Sequence, residues 1–124
     1  MKSDSNITIK EVISSDELKK FVMFPHTLYK DSKYWVAPII KEELEVLNKE
    51  TNPVFNNAIA HYFLAYIDGE IVGRIAALIN WIEVKDLKKK KVRFGWFDFI
   101  DDQNVSKALL EKVIEIGKKN NLEF

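Results

Sequence analysis

The sequence predicts an α/β fold, a single domain with the element order β-α-α-β-β-β-α and an incipient strand at its end. Three observations predict it. Apolar residues recur with period two in some segments and with helical spacing in others. Asp68 and Gly69 form a tight-turn dipeptide between two of the strand segments. Residues 71–79 are apolar on both faces, so we expect a central strand with helices on both sides of the sheet.

Composition excludes several classes of protein. The 124 residues are 47% hydrophobic and 31% charged, which is typical of one globular domain spanning residues 1–124. Nineteen basic and nineteen acidic residues cancel, so no global field draws the chain to nucleic acid or to an anionic membrane. The absence of cysteine excludes disulfides, thiolate metal sites and cysteine nucleophiles. With no apolar stretch of signal-peptide or membrane-spanning length, we expect a cytoplasmic protein without a membrane partner.

The first strand and the first helix have strong local signals. Residues 7–12 alternate with period two and are rich in β-branched side chains, which predicts a strand. Ser14 and Glu17 have the spacing of a capping box and mark the start of a helix. The buried stripe of this helix comprises Leu18, Phe21 and Val22. Pro25 is expected to end or kink the helix.

A second helix and a hairpin follow. Pro38 suits the first turn of the helix, because a proline lacks an amide hydrogen that this turn would leave unpaired. The predicted buried stripe of the helix comprises Ile40, Leu44 and Leu47. Asn52 and Pro53 mark a loop. Residues 59–67 and 70–79 then form the two arms of the hairpin.

The last third of the chain contains an aromatic strand and a helix. Residues 81–91 form a charged connection ending in four lysines, which we interpret as a solvated loop and not a nucleic-acid site, because no aromatic residue alternates with the lysines. Residues 92–100 form the aromatic strand. The apolar face of the last helix comprises Val105, Ala108, Leu109, Val113 and Ile116. Residues 122–124 are interpreted as the start of another strand.

Four short motifs together with this element order resemble a known family. The motifs are Phe24-Pro25-His26-x-Leu28-Tyr29, Trp35-Val36-x-Pro38, Asn52-Pro53-x-Phe55 and Val72-Gly73-Arg74-Ile75-Ala76-Ala77. They resemble the amino-terminal half of a group of bacterial GNAT acetyltransferase-like proteins. The resemblance implies acyl transfer from acetyl-CoA to a small-molecule amine, and a mixed sheet whose fourth and fifth strands splay apart to admit the cofactor. It also implies a domain truncated before the second half of the fold.

The resemblance places the cofactor's pyrophosphate between the aromatic strand and the last helix. The family motif Gln/Arg-x-x-Gly-x-Gly/Ala falls on residues 101–106, where Asp101 replaces the first residue and Asn104 and Ser106 replace the glycines. One interpretation is that Asp101 and Asp102 cap the helix and repel a phosphate. The other is a residual phosphate site built from backbone amides at the helix start. The candidate cofactor-binding residues are Phe99, Ile100, Asn104, Val105, Ser106 and Lys107.

Asp98 is the candidate catalytic residue. It is the one acid in the aromatic strand, and alternation places it on the face shared by Phe94 and Trp96. A carboxylate desolvated among rings suits a general base that takes a proton from an ammonium acceptor. The alternative is a structural carboxylate satisfied by Arg74, by Arg93 or by backbone amides.

The resemblance places the acceptor pocket between the first two helices. The candidate substrate-binding residues are His26, Tyr29, Tyr34 and Trp35. The alternatives are that the histidine caps helix carbonyls and that the rings serve packing. His61 has no carboxylate or second histidine at ligand spacing, so we predict no metal.

Two functional hypotheses from different classes follow. In the first, the chain is an acetyl-CoA-dependent N-acyltransferase or part of one. In the second, it is a non-catalytic GNAT-like binding or assembly module that dimerises through an exposed sheet edge. Both require a partner for the aromatic strand, which would otherwise end the sheet with unpaired backbone groups. That partner is either a second copy of the chain or the remainder of a longer parent protein.

Overall fold

The computed structural model describes residues 6–123. Its sheet has the order β1-β2-β3-β4, with each neighbouring pair antiparallel. The strands are β1 (Ile7–Glu11), β2 (Ala58–Ile67), β3 (Glu70–Asn80) and β4 (Arg93–Phe99). Asp68 and Gly69 join β2 to β3 with φ angles of 51° and 82°, the left-handed conformations that a two-residue hairpin turn of this kind needs. The hairpin prediction is therefore confirmed.

Helices cover both faces of the sheet, as predicted. They are α1 (Ser15–Leu28), α2 (Ile40–Leu47) and α3 (Gln103–Lys119). On one face, Phe21 of α1 and Leu47 of α2 pack in one cluster with Tyr62 and Leu64. On the other face, α3 packs its apolar stripe against the sheet, in one cluster with Ile75. The element order and the α/β fold class follow the prediction.

Pro25 does not end α1, which continues to Leu28. The capping box at its start is confirmed, since the Ser14 hydroxyl accepts from the Glu17 amide at 3.1 Å and the Glu17 carboxylate accepts from the Ser14 amide at 3.1 Å. In an uninterrupted helix the amide of residue 25 would donate to the carbonyl of Phe21, and proline has no such amide. Nη1 of Arg74, on β3, donates to that carbonyl instead, at 2.8 Å.

The start of α2 differs from the prediction. Pro38 precedes the helix, whose N-cap is Ile39, and so does not lie in the first turn. The predicted burial of Ile40 is also wrong, since it is 36% exposed while Leu47 is 2% exposed. Only the second turn of α2 reaches the core cluster, through Leu44 and Leu47.

The connection from β3 to β4 is more ordered than predicted. It contains one π-helical turn, Ile82–Asp86, that the sequence did not indicate. A 3-10 turn, Pro53–Asn56, similarly occupies the predicted loop before β2. The lysines at positions 88–91 are solvent-exposed, as expected for a solvated loop.

The end of the described chain begins a parallel strand beside β4. Glu123 forms a parallel bridge with Lys91. Its carbonyl accepts from the Val92 amide at 2.7 Å, and its amide donates to the Lys90 carbonyl at 2.8 Å. The predicted incipient strand is present as this single bridge, although Phe124 lies outside the described residues. The sheet is therefore mixed at this edge.

No helix within residues 6–123 combines the length and the apolar character that crossing a membrane requires.

Candidate functional site

Asp98 is held by two side chains from other elements. In the register of β3 with β4 it lies opposite Arg74, and its Oδ2 accepts from Nε of that arginine at 3.0 Å, with Nη2 at 2.9 Å. Tyr29, at the C-terminal end of α1, donates its hydroxyl to Oδ1 at 2.7 Å. The structural alternative, a carboxylate satisfied by Arg74, therefore describes the geometry. The Asp98 side chain is still 19% exposed, so a ligand can approach it.

Burial controls the charges in this network. Arg74 is 5% exposed, and its guanidinium lies 5.1 Å from the ring centre of Phe21. Desolvation lowers the pKa of Arg74, and the neighbouring Asp98 carboxylate opposes that shift. Desolvation raises the pKa of Tyr29, and its hydrogen bond to Asp98 raises it further. Tyr29 therefore keeps its proton and remains a hydrogen-bond donor at neutral pH.

Three of the four predicted acceptor residues lie together beside this network. The ring of His26 meets Trp35 edge to face with centres 5.2 Å apart, and Tyr29 packs on Trp35 at 5.4 Å. Nε2 of His26 is buried and has no hydrogen-bond partner among the described residues. Tyr34 is 91% exposed and lies outside the cluster. Packing of the rings and a contact with a ligand are both compatible with this arrangement.

A bulge interrupts β4 beside Asp98. Arg74 pairs with Asp98, and Ala76 pairs with Gly95. Two residues of β4, Trp96 and Phe97, therefore face the single residue Ile75 on β3. Trp96 has a φ of 48°, which is a strained conformation for a large side chain. Bulges of this kind re-aim side chains and leave backbone groups out of the ladder. The sequence analysis missed the bulge, although a glycine within an aromatic strand is a recognised signal for one.

The bulge corrects the prediction of which residues share a face with Asp98. Trp96 packs on the α1 and α2 side of the sheet and donates its indole Nε1 to Glu43 at 3.0 Å. Phe94 contacts Phe97 at 5.6 Å, on the α3 side. Asp98 therefore shares its face with Trp96 and not with Phe94, because the extra residue shifts the alternation by one position.

At the start of α3, the acids cap the helix. Asp102 is the N-cap, and its carboxylate accepts from the Asn104 amide at 2.9 Å. Its carbonyl accepts from the amides of Val105 at 3.1 Å and Ser106 at 3.4 Å. Three amides of the predicted phosphate site are thus engaged within the helix start. Of the other predicted cofactor-binding residues, Phe99 and Ile100 pack partly buried against the α3 side of the core, and Lys107 is exposed.

An apolar groove adjoins the bulge on the α2 side. Its volume is about 340 Å³, and it lies between α2, the Pro53–Asn56 turn and the strands β2, β3 and β4. Trp96 forms part of its wall, and the ion pair between Glu83 and Arg93 forms another part. The sequence analysis did not predict the groove, because its walls come from elements far apart in the chain.

Comparisons with curated proteins give two relatives. Protein YghO of Escherichia coli strain K12 is 35% identical over 101 residues, which is 82% of this chain and 26% of that protein. The bacterial ceramide synthase of Caulobacter vibrioides is 33% identical over 108 residues, which is 86% of this chain and 28% of that protein. The chain thus spans about a quarter of the length of these relatives. No protein-family model matches the chain.

Solved structures of GNAT proteins superpose on most of the chain at low sequence identity. A tandem GNAT protein from the clavulanic acid biosynthesis pathway superposes with a TM-score of 0.69 at 12% identity, covering 91% of this chain and 33% of that one. An aminoglycoside acetyltransferase from an uncultured soil metagenomic sample, in complex with sisomicin, gives 0.64 at 15% identity, covering 99% and 78%. A GNAT-family acetyltransferase from Staphylococcus aureus gives 0.62 at 20% identity, covering 94% and 68%.

Proposed function

Because the chain has a GNAT-like fold, we propose that it is an acyl-CoA-dependent N-acyltransferase, or the part of one that binds the acyl donor and the amine. The observation that carries the proposal is the bulge of β4 between Gly95 and Asp98. It combines backbone groups left out of the ladder at Trp96 with the carboxylate of Asp98, two residues further along β4 and 19% exposed. Polarisation of a thioester carbonyl and removal of a proton from an amine need that combination.

The donor in this proposal is acetyl-CoA or a longer acyl-CoA. Its thioester lies at the bulge and its pantetheine arm follows the outer edge of β4, where Glu123 begins a parallel strand. Its pyrophosphate lies at the start of α3, beside residues 104–107, with Phe99 and Ile100 below it. Lys107 supplies a positive charge on an exposed position.

Asp102 opposes this donor site. Its carboxylate occupies the Asn104 amide, so phosphate binding requires it to turn away. A hydrogen bond from a backbone amide to a phosphate is worth about 1.5–3 kcal/mol, and the helix dipole adds about 0.3–1 kcal/mol. Turning the Asp102 side chain away frees the Asn104 amide for such a bond, whereas the Val105 and Ser106 amides stay bonded to the Asp102 carbonyl. The site is weaker than one in which glycines leave the amides open.

The acceptor is a small-molecule amine beside His26, Tyr29 and Trp35. Its nitrogen attacks the thioester carbonyl, a C–N bond forms and the C–S bond breaks. The departing sulfur takes a second proton from that nitrogen, so CoA leaves as the thiol. Asp98 accepts the proton from the ammonium form, with Tyr29 and Arg74 holding the carboxylate in position. His26 is the second candidate for this proton, because its Nε2 has no partner among the described residues.

The relatives support an amine acceptor. A ceramide is an amide formed between a fatty acyl group and a long-chain amine. The relative named bacterial ceramide synthase matches 86% of this chain. We therefore extend amide formation by acyl transfer to this chain, without extending the particular substrates.

A second function rests on the free edge of β4. In residues 6–123 that edge meets only the short bridge at Glu123, so a further strand is needed to cover it. A second copy of the chain, or the remainder of a longer protein, supplies that strand. If the chain only assembles and does not catalyse, this edge is the interface of a non-catalytic GNAT-like module.

Release of the CoA thiol tests the first proposal. The chain has no cysteine, so a thiol-reactive dye reports CoA alone. We expect amine-dependent release, reduced about 100-fold or more in kcat by Asp98→Asn with little change in KM. The exposed Asp68→Asn in the hairpin turn is the matched control, because asparagine also adopts the left-handed conformation found there. Unchanged turnover in Asp98→Asn would exclude Asp98 as the base, and silence with every amine, accompanied by a dimeric mass, would favour the assembly module.

A further inference from the structure

Hydrocarbon side chains form most of the walls of the groove beside the bulge. Its walls are formed mainly by aliphatic and aromatic side chains, including Leu47, Val54, Phe55, Leu78, Ile79 and Trp96. Its volume of about 340 Å³ lies within the range of pockets that bind small molecules, about 300–1,000 Å³. The groove is therefore large enough to hold part of a ligand, and its walls offer that ligand mostly hydrocarbon.

The polar side chains of the groove already have partners inside the protein. Asn52 donates to the Val46 carbonyl at 2.8 Å, and Tyr62 donates to the Leu47 carbonyl at 2.9 Å. Oδ1 of Asn80 accepts from the Ile82 amide at 2.9 Å. A polar ligand would lose its water and find these groups engaged, which is unfavourable, whereas a hydrocarbon group would lose nothing.

The charged residues of the groove are paired in the same way. Arg93 donates to both carboxylate oxygens of Glu83, from Nε at 2.9 Å and from Nη2 at 2.7 Å. The indole of Trp96 donates outward to Glu43. The wall charges are therefore neutralised locally and do not recruit a charged ligand into the groove.

Trp96 links the groove to the proposed reaction site. Trp96 is both a wall of the groove and the strained residue of the β4 bulge. Asp98 lies two residues further along β4, on the same face of the sheet. Asp98 itself does not line the groove, so a ligand held there reaches the carboxylate by passing Trp96. Val54 also lines the groove and is 52% exposed, so we take it as the mouth of the groove.

We propose that this groove binds the hydrocarbon chain of a lipid-like substrate, whose reacting end lies at Trp96 and Asp98. The proposal rests on the proposed function and names its substrate class. The hydrocarbon chain belongs either to the amine acceptor or to the acyl group of the donor, and the two sources share the same chemistry in the groove.

Two titration series on the purified protein distinguish the sources. One uses butylamine, octylamine and dodecylamine, and the other uses acetyl-CoA, octanoyl-CoA and palmitoyl-CoA, both by calorimetry. Each buried methylene tightens binding about fourfold, so we expect Kd to fall steeply along one series until the groove is full. A Kd that does not change with chain length in either series would overturn the proposal.

A variant at the mouth of the groove tests where the hydrocarbon chain of the ligand lies. Val54→Asp places a charge where the chain passes, at a position exposed enough to leave folding intact. We expect at least tenfold weaker binding of the longest ligand and unchanged binding of the shortest. Val36→Asp is the matched control, because Val36 is 86% exposed and does not line the groove. If Val54→Asp binds the long ligand as tightly as Val36→Asp does, the chain lies elsewhere and the proposal is wrong.

Failure of this inference is distinguishable from failure of the proposed function. Thiol release without any dependence on chain length overturns the groove assignment and leaves the acyltransferase standing. Binding that depends on chain length and on Val54, without thiol release, supports the groove and contradicts the acyltransferase.

Discussion

Arg74 and Pro25 are predicted to be energetically coupled through a single carbonyl. Pro25 deprives the Phe21 carbonyl of its helical donor, and Nη1 of Arg74 supplies a replacement at 2.8 Å. The same guanidinium pairs with Asp98 through Nε and Nη2. Arg74→Met therefore removes two interactions, the hydrogen bond to the Phe21 carbonyl and the ion pair with Asp98. Pro25→Ala restores a donor for the carbonyl but does not replace the ion pair.

The magnitude follows from burial. Removing one partner of a buried ion pair costs about 3–5 kcal/mol, and the partial exposure of Asp98 places Arg74→Met near the lower end, about 3 kcal/mol. Leaving the Phe21 carbonyl without a donor accounts for about 1–2 kcal/mol of this loss. Pro25→Ala returns an amide that can donate to that carbonyl. In this background, Arg74→Met should therefore cost about 1–2 kcal/mol less than in the wild type.

A double-mutant cycle measures this coupling. The free energy of unfolding is obtained from urea denaturation of the wild type, the two single variants and the double variant. Asp98→Asn serves as a comparison, because it weakens the ion pair while leaving the Phe21 carbonyl satisfied, and its effect should not depend on Pro25→Ala. If the effects of Arg74→Met and Pro25→Ala add to within about 0.5 kcal/mol, the carbonyl does not link them and the reasoning is refuted.

Three further predictions concern the core and the start of α3. Burial raises the pKa of Tyr62 from 10.0 to about 12, so the stability it contributes is fully present below pH 10 and is lost as pH rises through 12. Tyr62→Phe should lower the free energy of unfolding by about 1 kcal/mol at neutral pH, and the stability of this variant should fall less steeply than that of the wild type above pH 10. Urea denaturation at a series of pH values measures both effects. Gly73→Ala should lose about 1–3 kcal/mol, because its Cβ would lie 2.9 Å from a methyl group of Leu109, whereas Gly95→Ala meets nothing within 4 Å and should be close to neutral by the same measurement. Asp102→Asn keeps an equally good helix cap but loses a negative charge, so thermal stability should hold while acetyl-CoA binds about two- to fivefold tighter at low salt; unchanged affinity would mean that no phosphate binds there.

Local signals in the sequence predicted the elements of the fold. The capping box at Ser14 and the turn at Asp68 and Gly69 act over four residues or fewer, so the sequence alone specifies them. The apolar character of β3 on both faces predicted the two layers of helices, because a strand with no polar face must be covered twice. The association of His26, Tyr29 and Trp35 was inferred from a family resemblance and not from any spacing.

Features that depend on contacts between distant segments were missed. The bulge at Trp96 shifts the alternation of β4, so period-two reasoning placed Phe94 on the wrong face. The helix continues through Pro25 because Arg74, far away in the chain, replaces the lost hydrogen bond. The apolar groove is likewise assembled from α2, two short turns and three strands. No local pattern encodes the groove or the contact of Arg74 with the Phe21 carbonyl, whereas Gly95 within the aromatic strand was a local signal for the bulge.

Protection of backbone amides from hydrogen exchange on adding acetyl-CoA tests the central claim most directly. A donor bound between the β4 bulge and the start of α3 should protect residues 95–98 and 104–107 and leave exchange at the β2–β3 hairpin turn unchanged. Protection confined to other segments, or none at saturating acetyl-CoA, would contradict an acyl donor site in this part of the fold.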